Sequence, residues 1–341
     1  MPLRQLAICG IATLILGKAI LAFHTSRSSL TNNEAGARLA AVSVSGASIV
    51  ACCKLDTYER IEIFERAVLS WYKLAGIQQI VVVDWQSTVS VHVLIEKVIA
   101  RPRTLDVTVL QLLNTSFVRW RIAPAFNLGM RSVRGAYILK LDCDTVVHPS
   151  FLTLNPIEGI GFRYADHRNV RKDRNDLHLN GVFLARVSDL KAVHGYDERL
   201  SLYGWDDSDL YVRLNRHFMR ARQNQNKTAN FYQDFVRERN GEKLIAHIPH
   251  SRTHGFISER NGICFNKEAL KILKPWSGVG KSKFSCRKDG NTQDVTTCVA
   301  KEISLNVQKL LGASDCISVL RRCVAGKNDI VEQSTCFGSN S

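Results

Sequence analysis

The spacing of apolar residues changes period along the first half of the chain. Residues 48–53, SIVACC, form a short apolar run, and residues 78–85, QQIVVVDW, form a longer one, as buried β-strands do. Between them, over 58–75, apolar residues recur at the spacing of one helix face: Ile61, Phe64, Val68 and Trp71. Strand, helix and strand within about 35 residues predict a βαβ unit, and hence parallel strands in an α/β sheet.

The alternation continues toward the middle of the chain. LDVTVLQLL (105–113) predicts a third strand, PAFNLGMRSVRG (124–135) a helix, and AYILKLDCD (136–144) a fourth strand. In open sheets of this kind, ligands bind beyond the carboxyl ends of the strands. Three carboxylates are predicted to lie at such ends: Asp84, Asp142 and Asp144.

The pair at the end of the fourth strand has several interpretations. Because alternate residues of an extended chain point to the same side, Asp142 and Asp144 present two carboxylates together. Two hard oxygen ligands suit a divalent cation bound to a diphosphate. However, such a pair is often a turn with solvated carboxylates. DCDT (142–145) after an apolar strand also fits the haloacid-dehalogenase phosphohydrolase signature, in which Asp142 would be a nucleophile.

The N-terminus carries the longest apolar run, residues 6–23, which follows Arg4 and is interrupted only by Lys18. A membrane-spanning helix needs about 20 such residues, whereas the apolar core of a cleaved signal peptide is shorter. Residues 1–23 are therefore expected to be a signal anchor, with a cleaved signal peptide as the alternative. Residues 24–47 are rich in Ser, Asn, Gly and Ala and predict a stem.

Cysteine usage indicates an oxidising compartment. The chain has 10 cysteines, many for a cytosolic protein, and the last part of the chain holds six of them: Cys264, Cys286, Cys298, Cys316, Cys323 and Cys336. Residues 262–341 are therefore predicted to be a separate, disulfide-stapled extension. Sequons at Asn114 and Asn226 agree with a glycoprotein of the secretory lumen.

The net charge of +15 does not indicate a nucleic-acid-binding protein. The basic residues are scattered rather than arranged in a stripe, and no basic motif interleaved with aromatic residues is present. A solvated surface accounts for the charge, and anionic partners such as a nucleotide diphosphate or an acidic glycan are also compatible with it.

The second half of the chain contains DLHLNGVFLARVSDLKAVHGYDERLSLYGWDDSDLYVRL, residues 176–214. This block resembles the galactosyltransferase-type C-terminal motif of metal-dependent GT-A glycosyltransferases, such as β-1,4-galactosyltransferases, chondroitin-polymerising enzymes and bacterial family 2 transferases. Together with AFNLG (125–129) and LKLDCD (139–144), the resemblance covers residues 48–255. It implies a GT-A fold, a mostly parallel sheet flanked by helices, with the catalytic domain over 48–261.

The resemblance also implies roles for the acidic cluster. Asp207 matches the catalytic base, Asp206 the residue that holds the acceptor sugar, and Trp205 offers an apolar face to a sugar ring. Ser208 stands where the family commonly has another acid, and Asp206 replaces the more usual Glu, departures that bear on acceptor identity. Without the resemblance, the acidic cluster can also be interpreted as the start of a helix, because the helix dipole favours acidic residues in the first turn.

A metal site is expected from two histidines. His247 and His250 lie three positions apart in LIAHIPHSRTHG (244–255), downstream of the acidic cluster. The family's C-terminal metal ligands share that offset, and the second is a histidine followed by a similar Ser-Arg pair. The resemblance therefore implies Asp144, His247 and His250 as ligands. Mixed oxygen and imidazole ligation suits Mn²⁺ better than Mg²⁺, which stays possible.

The donor nucleotide is expected at the same sheet edge. Asp142 is placed near the ribose or the cation's water, Asp84 near the nucleoside and Asn127 near the nucleotide. Pro124 stands where related bacterial proteins usually have a basic residue. A contact to the diphosphate is therefore expected from other cations, Arg121 or Lys140.

These inferences predict a metal-dependent inverting glycosyltransferase. It would move galactose or N-acetylgalactosamine from a UDP-sugar donor to a hydroxyl of a glycan or glycoconjugate acceptor, in the Golgi lumen behind the membrane anchor. A catalytically silent glycan-binding protein on the same fold is one alternative. The phosphohydrolase is a weaker one, because no suitable downstream arrangement of a lysine and aspartates accompanies residues 176–214.

Overall fold

The computed structural model describes residues 41–42, 46–99, 105–113, 121–158, 161–169, 174–200, 204–221, 231–251, 259–279, 281–290, 294–302, 310–311, 314–316, 318–319 and 323. The chain divides after Ala41 into two compact units. The site described below lies in the second unit, Val42–Ser341. The helices are α1 Tyr58–Lys73, α2 Val91–Val98, α3 Ile122–Arg131, α4 Phe151–Leu154, α5 Val187–Ala192, α6 Asp206–Ala221 and α7 Glu259–Ile272, with 3₁₀ helices at His167–Asn169 and Arg174–Gly181. The strands are β1 Ala41–Val42, β2 Ala47–Cys53, β3 Ile77–Asp84, β4 Asp106–Leu113, β5 Tyr137–Lys140, β6 Thr145–Val147, β7 Ile157–Glu158, β8 Phe162–Tyr164, β9 Phe183–Arg186, β10 Tyr232–Asp234, β11 Glu238–Arg239, β12 Glu242–Lys243, β13 Ile245–His247, β14 Lys283–Lys288 and β15 Val295–Glu302.

In the described part of the chain, nine strands form one sheet in the order β10-β8-β9-β5-β2-β3-β4-β15-β14. Parallel pairing joins β5, β2, β3 and β4 at its centre, whereas β9 pairs antiparallel with both β5 and β8. The predicted βαβ unit is β2, α1 and β3, and the other two predicted strands are β4 and β5. The prediction of an α/β fold with a mostly parallel central sheet flanked by helices is therefore confirmed.

Alternate residues of β2 enter two apolar cores on opposite faces of the sheet. Ile49 packs in the core that holds Trp71 of α1, and Val50 packs in the core that holds Phe126 of α3. Gly129 lets α3 lie close to the strands, because a Cβ at this position would come within 2.8 Å of the Val50 side chain. Both helices are thereby held against the strands that lead to the site.

The C-terminal extension differs from the prediction of a separate appendage. β15 pairs in parallel with β4, and β14 pairs antiparallel with β15, so both strands add to the edge of the central sheet. Disulfides join Cys286 to Cys298 within this hairpin and Cys264 of α7 to Cys323. The pairing with β4 depends on contacts across almost 200 residues, which no local pattern reveals.

Several predictions concern residues outside the described ones. They include the anchor 6–23, most of the stem 24–47 and the two sequons, at Asn114 and Asn226. Among the described residues, no helix has both the length and the apolar character needed to cross a membrane.

Candidate active site

The aspartate pair is fixed where the chain leaves the sheet. β5 ends at Lys140, and the chain then turns through Asp142 and Asp144 rather than continuing as a strand. Between the two aspartates, Cys143 forms a disulfide with Cys53, the last residue of β2. This bridge fastens the turn to the carboxyl end of the neighbouring strand, at the sheet edge where ligands of such folds bind.

Asp144 meets the two predicted histidines. Its Oδ2 lies 2.9 Å from His250 Nε2 and 3.6 Å from His247 Nε2. One ligand atom from each of the three residues lies within 4.8 Å of the others. The histidines arrive here because β13 pairs antiparallel with β6, the strand that follows Asp144, with His247 opposite Thr145. Residues 106 positions apart in sequence are thus brought into direct contact.

The neighbours of both imidazoles leave the Nε2 atoms available to a metal. His247 Nδ1 lies 2.9 Å from Asn175 Oδ1, and His250 Nδ1 lies 2.9 Å from the Ser251 carbonyl oxygen. If each Nδ1 carries a proton and donates it to these oxygens, each Nε2 can offer its lone pair to a metal, which would take the place of the Nε2 proton that otherwise donates to Asp144. An oriented pair of neutral imidazoles beside a carboxylate is the donor set of a divalent transition-metal site, so the residues fit the predicted cation.

The electrostatics favour an ionised carboxylate at Asp144. Burial alone would raise the pKa of Asp144, but hydrogen bonds with His247 and His250 outweigh burial and hold the pKa well below its usual range. Arg60 from α1 adds a positive charge, with its Nη1 3.3 Å from Asp144 Oδ2. The hydrogen bond to Asp144 in turn raises the pKa of His250.

A second cluster lies around Asp207, the predicted base. Its Oδ1 accepts a hydrogen bond from the Tyr196 hydroxyl at 2.6 Å and lies 3.6 Å from Lys140 Nζ. The same Lys140 Nζ lies 3.0 Å from Asp142 Oδ1, so one ammonium contacts both carboxylates. Asp206 is buried beside Asp207, and burial followed by repulsion from Asp207 raises the pKa of Asp206 to about 7.

Trp205 precedes the first turn of α6 with a φ of 70°, a conformation uncommon for a bulky residue. The ring is partly exposed, and Lys267 of α7 places its Nζ 5.1 Å from the ring centroid. A residue of the C-terminal extension therefore reaches the predicted acceptor position.

The predicted nucleotide contacts lie in different surroundings. Asp84, at the end of β3, is 1% exposed and accepts a hydrogen bond from the Ser87 backbone N–H at 2.9 Å, while burial raises its pKa. The Asn127 amide donates to the Tyr196 carbonyl and to Glu198 Oε1, at 2.9 and 2.8 Å. Arg121 donates to the Glu198 carbonyl. Asn127 and Arg121 thus brace the segment that precedes α6, and their contacts with a nucleotide stay predictions.

Four further residues of the site carry little signal in the sequence: Arg60, Asn175, Gly181 and Tyr196. Arg60 and Asn175 contact Asp144 and His247, which lie 84 and 72 positions away in the chain. Gly181 lies beside Lys140, and Tyr196 contacts Asp207, 11 positions further along the chain. The Cys53–Cys143 disulfide also joins distant residues, with 90 positions between its halves. Besides the acidic cluster of residues 206–209, the lysine in the otherwise apolar stretch YILKL, residue 140, is a local sign of the second cluster.

Comparison with known proteins gives one family match. Residues 166–235 match a model of the N-terminal domain of galactosyltransferase. This match confirms that the chain carries a galactosyltransferase-like segment, and it includes the acidic cluster at the start of α6. No curated protein sequence matches the chain significantly.

Solved structures of glycosyltransferases are similar to the chain. A Drosophila β-1,4-galactosyltransferase 7 mutant, in complex with manganese, UDP-Gal and xylobiose, is 16% identical, with a TM-score of 0.45 over 77% of this chain and 97% of that one. A Pyrobaculum calidifontis mannosyltransferase with GDP-Man and Mn²⁺ is 13% identical, with a TM-score of 0.46 over 79% and 76% of the two chains. S. aureus TarS is 15% identical, with a TM-score of 0.43 over 67% and 66%.

Proposed function

We propose that the protein is a metal-dependent, inverting glycosyltransferase that moves galactose or N-acetylgalactosamine from a UDP-sugar to a glycan hydroxyl. The observation that carries the proposal is the convergence of Asp144, His247 and His250, with a carboxylate at Asp207 linked to the same turn through Lys140. The galactosyltransferase-like segment over 166–235 supports the choice of donor. The disulfides support a lumenal location, which we propose to be the Golgi.

In this proposal the two clusters have different tasks. Asp144, His247 and His250 would hold Mn²⁺, or Mg²⁺, near the diphosphate of the donor. When bound, the cation supplies positive charge that stabilises the leaving diphosphate. Arg60 adds a fixed cation on the same side, since its guanidinium contacts Asp144. Asp84 and Asp142 would contact the nucleoside and the ribose.

Asp207 performs the proton transfer. The acceptor oxygen forms a bond to the anomeric carbon as the bond from that carbon to the diphosphate oxygen breaks, and the hydroxyl proton passes to the Asp207 carboxylate. Attack from the face opposite the leaving group inverts the anomeric centre, so an α-linked donor gives a β-linked product. Trp205 and Asp206 would hold the acceptor sugar beside this base.

A panel of UDP-sugars tests the proposal directly. The purified protein is incubated with each donor, with and without Mn²⁺, and UDP release is measured alone and with mixed glycan acceptors. We expect release that requires Mn²⁺, that is fastest with UDP-Gal or UDP-GalNAc, and that is abolished by a chelator. Donor binding without turnover under all conditions would instead support a silent glycan-binding protein.

A further inference from the structure

Lys140 is an unusual residue for the end of a central strand. All four residues of β5 are buried, and the lysine is 1% exposed. Its Nζ lies 3.0 Å from Asp142 Oδ1, 3.6 Å from Asp207 Oδ1 and 4.5 Å from the centroid of the Phe126 ring. Burying an unpaired ammonium at this depth is strongly unfavourable. The two carboxylates therefore account for its presence in the core.

We propose that Lys140 is a positioning residue of the transferase, whose ammonium ties the donor-side carboxylate of Asp142 to the base carboxylate of Asp207. The inference rests on the proposed function for the roles of these two aspartates. Lys140 is thus assigned to the base and not to the diphosphate contact expected from the sequence, because its Nζ already contacts both carboxylates.

The oxygens of the two aspartates are arranged in a way that supports this role. Lys140 faces the Oδ1 atom of both, and the Tyr196 hydroxyl also donates to Oδ1 of Asp207. The Oδ2 atoms both face Gly181: each lies 3.1 Å from the position that a Cβ on this glycine would occupy. One oxygen of each carboxylate therefore faces the ammonium, and the other lies beside the backbone of Gly181.

Gly181 also explains why the ammonium can sit between the aspartates. A Cβ at this position would lie 2.6 Å from Lys140 Nζ, closer than such contacts occur. The absence of a side chain there gives the lysine its room.

The groups around Asp207 are mostly acidic, so the ammonium of Lys140 strongly affects the charge of the base. The charged and titratable groups that face Asp207 are Lys140 from β5, Asp142 from the turn after it, Tyr196, and Asp206 and Tyr211 from α6. Among these five groups, only Lys140 carries a positive charge. Burial lowers the pKa of Lys140, but Asp142 and Asp207 outweigh burial and raise it, so the ammonium persists throughout the physiological range. Its removal would leave Asp207 among like charges.

The test combines an activity measurement with one that does not need turnover. In Lys140→Met, which removes the charge at similar length, we expect kcat to fall about 100-fold. Donor KM should change much less. The acidic limb of the kcat/KM profile should move to higher pH by about one unit, because a carboxylate without its cation is harder to ionise. Lys97→Met, at an exposed lysine paired with Glu65, is the matched control and should leave all three unchanged.

The second measurement is a ¹³C NMR titration of the aspartate carboxyl groups in the wild type and the variant. We expect the pKa of Asp207 to rise in Lys140→Met. Lys140→Gln, which keeps a donor group without the charge, serves if the methionine variant does not fold, and the same direction is expected. An unchanged Asp207 titration overturns the inference, as does a wild-type kcat. A wild type with no turnover would overturn the proposed function alone, because the titration still tests Lys140.

Discussion

The two charged clusters beside the end of β5 differ in where their positive charge comes from. Around Asp207 and Asp142 the protein supplies its own cation, the buried ammonium of Lys140. Around Asp144 the nearest groups are two imidazoles, which are neutral when they act as metal ligands, together with a partly buried Arg60. Neutral imidazole nitrogens directed at a carboxylate favour a bound cation, whereas an ammonium in direct contact makes one unnecessary.

This difference indicates that Asp142 and Asp144, in one short turn, serve two different clusters. The aspartates are separated by one residue, and Cys143 between them is fixed by its disulfide to β2. The chain can therefore direct one carboxylate to the metal side and the other to the base side without flexibility between them. We therefore expect that a substitution can disable either cluster while the other stays intact.

The largest effect is expected from Asp144→Ala. Loss of the carboxylate leaves two imidazoles without their central partner, so Mn²⁺ binding and turnover should both be abolished. Isothermal titration with Mn²⁺ and UDP release from the donor measure the two effects. His148→Ala removes a histidine that contacts Ser150 and Glu242 instead, and it should retain both properties. Wild-type Mn²⁺ affinity in Asp144→Ala would show that the metal ligands are elsewhere.

Asp207→Asn should disable the cluster around Asp207 and leave the metal cluster around Asp144 intact. An amide cannot take the acceptor proton, so kcat should fall by about 10²–10⁴-fold while Mn²⁺ and UDP affinities stay near the wild type. Asp209→Asn is the control in the same helical turn, because its carboxylate contacts Arg213 rather than the base cluster. A parallel loss of Mn²⁺ affinity in Asp207→Asn would mean that the clusters are not independent.

A smaller effect is expected from Asn175→Ala. This side chain contacts His247 twice, through its Oδ1 at the ring nitrogen and through its Nδ2 at the backbone carbonyl. Partners that orient a ligating histidine typically contribute about 10–100-fold to metal affinity. The Mn²⁺ affinity should therefore fall within that range, and saturating Mn²⁺ should restore most of the turnover. Asn169→Ala, at a residue bonded to Asp234, should leave the affinity unchanged.

The disulfides offer the mildest change to the site. Replacing Cys53 and Cys143 by serine opens a loop of 90 residues and should cost about 4–5 kcal/mol, while opening the 12-residue Cys286–Cys298 loop should cost about 3. Thermal unfolding measures both losses. Only the first replacement should also weaken Mn²⁺ binding, by a few-fold, because it loosens the turn that carries Asp144. Equal Mn²⁺ affinities in the two variants would contradict this role.

Much of the fold could be predicted from local patterns. The apolar runs at 48–53 and 78–85 and the helical spacing between them correspond to β2, β3 and α1, because burial on both faces leaves a clear signature. The fourth strand ends earlier than predicted, at Lys140, since its aspartates turn out of the sheet. The antiparallel β9 and the addition of β15 could not be predicted, because strand order depends on contacts between distant segments.

The candidate site divides in the same way. Asp144, His247 and His250 could be proposed together because a family resemblance connected them, and the structure brings them into contact. The pairing of Lys140 with Asp207 had no such support. It depends on how α6 lies against β5 and on the missing side chain at Gly181, neither of which is encoded in neighbouring residues.

The most direct test of the account is a crystal of the protein soaked with Mn²⁺ and UDP, with anomalous diffraction recorded at the manganese edge. We expect one strong peak at bonding distance from a carboxylate oxygen of Asp144 and from Nε2 of both His247 and His250, with diphosphate oxygens on its open side. A peak held by Asp142 and Asp207 instead, or no peak near the three ligands, would contradict it.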